Sequence, residues 1–283
     1  MEKETIEILD VKGAETTSLL NHNTEEIPLV QVTQLPSGFK GYPKGTQISY
    51  RPITLGELEA LNSDEMDATR AVAMLLKSIH CTTLNAEDLY YWDIMYIGIQ
   101  RKLMAFGNTK GTIYNICPKC GKMVSKSFEY TELAFKELQA PDLPMRMTVS
   151  GKELEFKPLT MKQFLQIEVE QGELGVYARM IANLEFEEAY KLVKNAIGVD
   201  IKKLRFADQQ LDYGIKPFKV KCPNPITIDN PNFDEKQGHS EQNPKQIVQL
   251  CNEEVVLEVR SPFEVVFPED EFDGNLEFEI QYG

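Results

Sequence analysis

Cys117-Pro118-Lys119-Cys120-Gly121 is the stretch from which the rest of the chain is read. Two cysteines two residues apart can turn both sulfurs toward one ion, and the glycine lets the backbone curl beneath it. Such a knuckle supplies two ligands, whereas a closed structural zinc site needs four. The spacing therefore sends the search to a second pair of cysteines in the same chain.

Cys222-Pro223 opens a second knuckle, but no cysteine follows two residues on. A segment rich in Pro and Asn intervenes, from about residue 224 to 249, and only then comes Leu250-Cys251-Asn252, ahead of the alternating Val255-Val256-Leu257-Glu258-Val259. If the intervening segment is a loop, Cys222 and Cys251 form a knuckle opened in sequence and closed in space. Cys117, Cys120, Cys222 and Cys251 are then the four thiolate ligands of a zinc ribbon, since soft sulfur in a tetrahedron suits zinc. With no open position the ion is structural, Zn2+ held for folding and not for catalysis. The bland alternative is a decayed site whose thiols survive as small buried apolar groups. A variant takes His239, inside the insertion, as fourth ligand. Cys81 follows His80 at the expected end of an amphipathic helix, where neighbours point about 100° apart. It reads as a buried cysteine and not as a His-activated nucleophile. His22 carries no argument.

Outward from the knuckles, the chain repeats itself. Gly45-Thr46-Gln47-Ile48-Ser49-Tyr50-Arg51-Pro52-Ile53-Thr54 is matched by Gly151-Lys152-Glu153-Leu154-Glu155-Phe156-Lys157-Pro158-Leu159-Thr160 nearly position by position. In both, an alternating strand stops at a proline, and Thr54 with Glu57, or Thr160 with Gln163, writes a capping box. Helices are expected at about 64–79, from Asn85 as N-cap to Gly107, and then at 161–170, 176–183, 186–197 and 201–213. The fold class is therefore α+β: duplicated strand-plus-helical-cluster units joined by a four-cysteine zinc-ribbon-like element. The boundaries are an N-terminal arm at 1–34, with one short strand near 27–30, a first repeat at 35–140, and a second at 141–283 with the insertion at 224–249.

Composition narrows the function. The net charge of −14 over 283 residues argues against a nucleic-acid face. No apolar run approaches bilayer length, and the start lacks a basic-then-apolar signal, which places the protein in a reducing cytoplasm. No phosphate-cradling glycine loop, nucleophile elbow or His-Glu-x-x-His is written in the chain, so no enzyme is expected. Leu276, Phe278, Ile280 and Tyr282 alternate with Glu277, Glu279 and Gln281. This one-sided strand, within 275–282, is either an edge of the protein's own sheet or a strand donated to a neighbouring subunit. The insertion is either a solvated loop or an interaction loop.

Leu35-Pro36-Ser37-Gly38 with Tyr42-Pro43, then Tyr50-Arg51-Pro52-Ile53-Thr54, the helical block ending at Arg101 to Gly107, and Cys117-Pro118-Lys119-Cys120 follow one another in a telling order. In these the chain resembles the baseplate hub assembly proteins of T-even-like, contractile-tailed phages, over roughly residues 35–270. The resemblance implies a protein that builds or sits in the tail hub, with other tail or baseplate proteins as partners, in the virion or in the host cytoplasm during assembly. The alternative, from another class, is a zinc-ribbon regulator that binds nucleic acid. It requires a basic stripe beside the knuckles, whose neighbours are instead mixed: Lys119, Lys122 and Lys126 on one side, Glu253, Glu254 and Glu258 on the other.

Overall fold

The computed structural model describes residues 28–61, 68–108, 110–167, 171–232, 236 and 244–259. His22, His239, the expected strand at 275–282 and most of the arm at 1–34 lie outside the described residues. Contacts divide the chain into two compact units. A body holds the residues before Lys110 and Tyr130–Ile215, and a ribbon unit holds Lys110–Glu129 and Lys216–Arg260. The division cuts across the expected repeats, so that each gives one stretch to the ribbon.

The body is built from two strand-turn-helix clusters. In the first, β1 (Val30–Gln31), β2 (Ile48–Tyr50) and β3 (Ile79–Cys81) form an antiparallel sheet in that order, with Tyr50 opposite both Val30 and Ile79. α1 (Leu55–Leu61) and α2 (Ala68–Lys77) lie between β2 and β3. In the second, β6 (Met145–Val149) and β7 (Lys152–Phe156) form a hairpin, closed at Ser150-Gly151 with both residues at positive φ, as a tight turn requires. Phe156 bridges onward to Ile181, just past α5 (Gly172–Met180). Arg51 N donates to the Ser78 carbonyl at 2.8 Å, and Lys157 N donates to the Met180 carbonyl at 2.9 Å.

Both capping boxes close. Glu57 N donates to Thr54 Oγ1 at 3.2 Å while Thr54 N donates to Glu57 Oε2 at 3.0 Å. Gln163 N donates to Thr160 Oγ1 at 3.2 Å and Thr160 N donates to Gln163 Oε1 at 3.0 Å. Replacing Thr160 by alanine is expected to lower stability by about 1 kcal/mol. Urea unfolding followed by far-UV dichroism checks it, and an unchanged midpoint would show the cap to be idle.

Several helix boundaries differ from expectation. α2 ends at Lys77, and Ile79 and Cys81 belong to strand β3, so Cys81 is not helical. It is half-buried, and burial pushes its thiol up to about 11, which leaves it a poor nucleophile. Asn85 does not cap the third helix: residues Ala86–Asp88 form a short 3-10 turn, and α3 (Tyr91–Phe106) starts after a break. Tertiary bonding makes that break, because Met161 N donates to the Leu89 carbonyl and Tyr91 N to the Leu159 carbonyl. α4 is only Met161–Phe164, and α6 (Phe186–Lys194) stops short of Gly198, whose positive φ starts α7 (Val199–Leu211) instead of ending α6.

α3 is the axis of the body. Over its first three turns almost every face is buried, including Asp93, Arg101 and Lys102. A buried charge is tolerated only with partners. Asp93 accepts from Ser37 Oγ at 2.6 Å, Ser37 N at 3.1 Å and Tyr42 Oη at 2.6 Å. Arg101 Nε donates to the Arg51 carbonyl at 2.8 Å and its Nη2 reaches Glu57 at 3.2 Å, the same carboxylate that pairs with Arg51. Lys102 Nζ donates to Tyr130 Oη at 2.7 Å.

Candidate metal centre

Among the described residues the ribbon unit holds three antiparallel pairs, two of which meet at a cysteine turn. β4 (Lys110–Ile116) runs into Cys117, and β5 (Met123–Glu129) leaves after Cys120-Gly121. Cys117 N donates to the Lys122 carbonyl at 2.9 Å and Gly121 N to the Cys117 carbonyl at 2.9 Å. Gly121 has φ 69°, the left-handed conformation that glycine takes without strain.

The second turn is made of two separated pieces. β8 (Phe218–Lys221) runs into Cys222, and β11 (Glu254–Leu257) leaves after Cys251-Asn252 and pairs with β8. Cys222 N donates to the Glu253 carbonyl at 2.8 Å, and Asn252 N to the Cys222 carbonyl at 3.1 Å. Asn252 has φ 52°, where asparagine stands in for the glycine of the first turn. The segment between is not the expected plain loop. Its base is a hairpin of β9 (Pro225–Asp229) and β10 (Gln246–Leu250), in register from Pro225 opposite Leu250 to Asp229 opposite Gln246. Alternating Ile226 and Ile228 carry that strand signal, and Pro225 sits at a strand's first residue, where no N–H is missed.

Folding thus brings the four sulfurs of Cys117, Cys120, Cys222 and Cys251 within 4.8 Å of one another. Cys117 lies 3.7 Å from Cys251 and Cys120 lies 3.6 Å from Cys222. A disulfide needs about 2 Å, so these are thiols. A tetrahedron of sulfurs around zinc at about 2.3 Å has edges of about 3.8 Å, close to both distances. Donor type, number and spacing therefore fit a structural zinc ion. Among the described residues no other group of three or more cysteines, histidines and carboxylates converges in this way.

The backbone is arranged to receive negative sulfur. Burial works against a Cys117 thiolate, but the N–H groups of Cys120 and Lys119 donate to it and hold its pKa at about 7. Cys120 receives the Lys122 N–H, yet burial and the neighbouring thiols leave it raised. Burial drives Cys251 up to about 11. Asn224 Nδ2 donates to Cys222 Sγ at 3.4 Å. The lowered Cys117 favours a thiolate, and the raised Cys120 and Cys251 are the groups that a bound cation would stabilise as thiolates.

A family model described as "T4 bacteriophage base plate protein" matches residues 27–225. The chain belongs to that family. A structural place in the phage tail baseplate, among other tail proteins, goes with membership. Cys117, Cys120 and Cys222 fall within the matched residues of this baseplate protein, and Cys251 lies beyond them. No curated protein and no solved structure gives a match. No helix among the described residues is long and apolar enough to cross a membrane.

Reading the sequence missed the grip on the segment after Leu35. The loop from Leu35 to Tyr42 is tied by Asp93 through Ser37 and Tyr42, and Lys40 Nζ donates to the Leu138 and Ala140 carbonyls. The available signal was the set of charges Asp93, Arg101 and Lys102 inside a helix with apolar residues on every face.

Proposed function

We propose that this chain is a non-enzymatic structural or assembly protein of the baseplate hub, braced by one zinc ion on Cys117, Cys120, Cys222 and Cys251. It acts through contacts with other tail proteins. The convergence of four thiols at tetrahedral spacing carries the metal reading. Four protein donors leave no coordination position for substrate, which supports bracing and not catalysis.

An internal duplication underlies the design in this reading. The capping boxes, the Arg51–Ser78 and Lys157–Met180 bonds, and the left-handed Gly121 and Asn252 support it, because they recur at matching positions. The second knuckle would be the copy into which the β9–β10 hairpin was inserted.

Metal analysis of the purified chain tests the first part, with one zinc per chain expected. Mass spectrometry of purified tails, compared with infected-cell lysate, tests the second. A zinc-free chain of unchanged stability, or one absent from every tail intermediate, contradicts the reading.

A further inference from the structure

Asn224 stands where the inserted hairpin opens the second cysteine turn. In the first turn Lys119 is followed directly by Cys120. After Cys222-Pro223 the same place is held by Asn224, but the chain then enters β9 at Pro225, and Cys251 arrives only after β10. Hydrogen bonds stand in for the missing peptide bond. Cys251 N donates to the Asn224 carbonyl at 2.9 Å, and Pro225 lies opposite Leu250 in the hairpin. The half-buried side chain of Asn224 then reaches across. Its Nδ2 donates to the Met123 carbonyl at 3.0 Å, where the first turn runs into β5, and to Cys222 Sγ at 3.4 Å. Both partners are acceptors, which settles the orientation of the carboxamide: the flipped form would set Oδ1 against a carbonyl and a sulfur. In the first turn the backbone N–H groups of Cys120 and Lys119 donate to Cys117. In the second a side chain supplies a donor to sulfur.

We propose that Asn224 is the positioning residue of the four-cysteine site: it closes the opened turn, locks that turn to the first, and holds Cys222 as a thiolate aimed at the ion. The inference rests on the reading of Cys117, Cys120, Cys222 and Cys251 as a zinc site. Groups that hydrogen-bond to a ligand set both its direction and its donor strength. An N–H aimed at sulfur favours the charged form, and it eases the repulsion in a site where four thiolates outweigh the charge of one zinc ion. The bond to Met123 does the geometric part. Through one short side chain it ties Cys222 to the exit of the Cys117–Cys120 turn. The two turns are thus in place before the ion enters, and less order has to be imposed on binding. The nearest residues in shape fail in different ways. Aspartate keeps the length but offers no donor, and leucine keeps the branching without the polarity.

Zinc titration of the full chain against a chromophoric chelator, together with the absorption spectrum of the cobalt(II)-substituted chain, tests this in Asn224→Asp and Asn224→Leu. Both variants are expected to bind zinc at saturation, with affinity lower by about 10- to 100-fold, and to release it faster to the chelator. In Asn224→Leu the sulfur-to-cobalt charge-transfer band is expected to move to longer wavelength, because a thiolate that loses an N–H donor gives up an electron more easily. A residue that only held the turns together would weaken binding without moving that band. An unmoved band therefore overturns the proposal, as do affinities equal to that of the unaltered chain. So does a ribbon that stays unfolded in both variants with zinc in excess, read by hydrogen exchange in β8 and β11, since Asn224 would then serve the fold alone. An unaltered chain that takes up neither zinc nor cobalt overturns the zinc reading itself, and this inference with it.

Discussion

Cys251→Ser is expected to strip the chain of zinc as completely as Cys120→Ser, although Cys251 lies far from the knuckle in sequence. In the structure its sulfur is 3.7 Å from that of Cys117, and one lost thiolate leaves a site with three. Affinity should fall by at least about 100-fold. The effect on folding should be as large. Among the described residues of the ribbon, the buried apolar side chains are Ile113, Val124, Phe128, Val255 and Leu257, together with the cysteines 117, 222 and 251. Five apolar side chains are too few to hold a unit of this size, and small units depend on a metal or other staple. The ribbon transition should drop by about 10 °C or more, with strand amides of β4, β5, β8 and β11 losing protection from exchange. Zinc lost without a change in melting would show that the ion does not hold the fold.

Asp93→Ala should be the most damaging single change in the body. It removes the acceptor of three hydrogen bonds and leaves Ser37 N, Ser37 Oγ and Tyr42 Oη pointing at a cavity. A loss on the order of 3 kcal/mol is expected, together with faster proteolysis at 35–42 as that loop comes free. The pH dependence has a definite sign. Burial raises the Asp93 carboxyl to about 6, against the pull of the Ser37 and Tyr42 bonds, whereas the unfolded group titrates near its ordinary value of about 3.9. The folded state therefore binds the extra proton between about pH 4 and 6. Asp93 contributes stability that is fully present below pH 4 and lost as the pH rises through 6. The Tm difference between the unaltered chain and Asp93→Asn should widen as pH falls from 7 to 4. A difference that stays flat or narrows would show that the group is not perturbed in this direction.

Local grammar was legible where it acts over a few residues. Both capping boxes, the Gly107 stop of α3 and the strand β5 formed where Thr54, Thr160, the glycine and the alternation at 123–129 placed them. Legibility failed where distant chain competes for a backbone group. Asn85 is a good cap by type, yet its helix was broken at Leu89–Tyr91 because those groups bond to residues 159–161. Ile79 fits the helical period of α2 but closes a strand ladder opposite Tyr50. The hairpin within the insertion was missed because Pro and Asn around it weighed more than the Ile226/Ile228 alternation.

Alone, the amino-acid order determined that the chain carries two cysteine turns, two similar capped units and an acidic balance, because these rest on residue type, spacing and charge. Only the tertiary structure decided that Cys222 and Cys251, separated by an inserted hairpin, make one turn with Asn252 in the left-handed position. It alone decided, too, that Asp93 anchors the segment from Ser37 to Tyr42. Sulfur at 3.6–3.7 Å across the knuckles and hydrogen bonds across 51 to 56 residues of sequence depend on where the backbone goes, which no local pattern records.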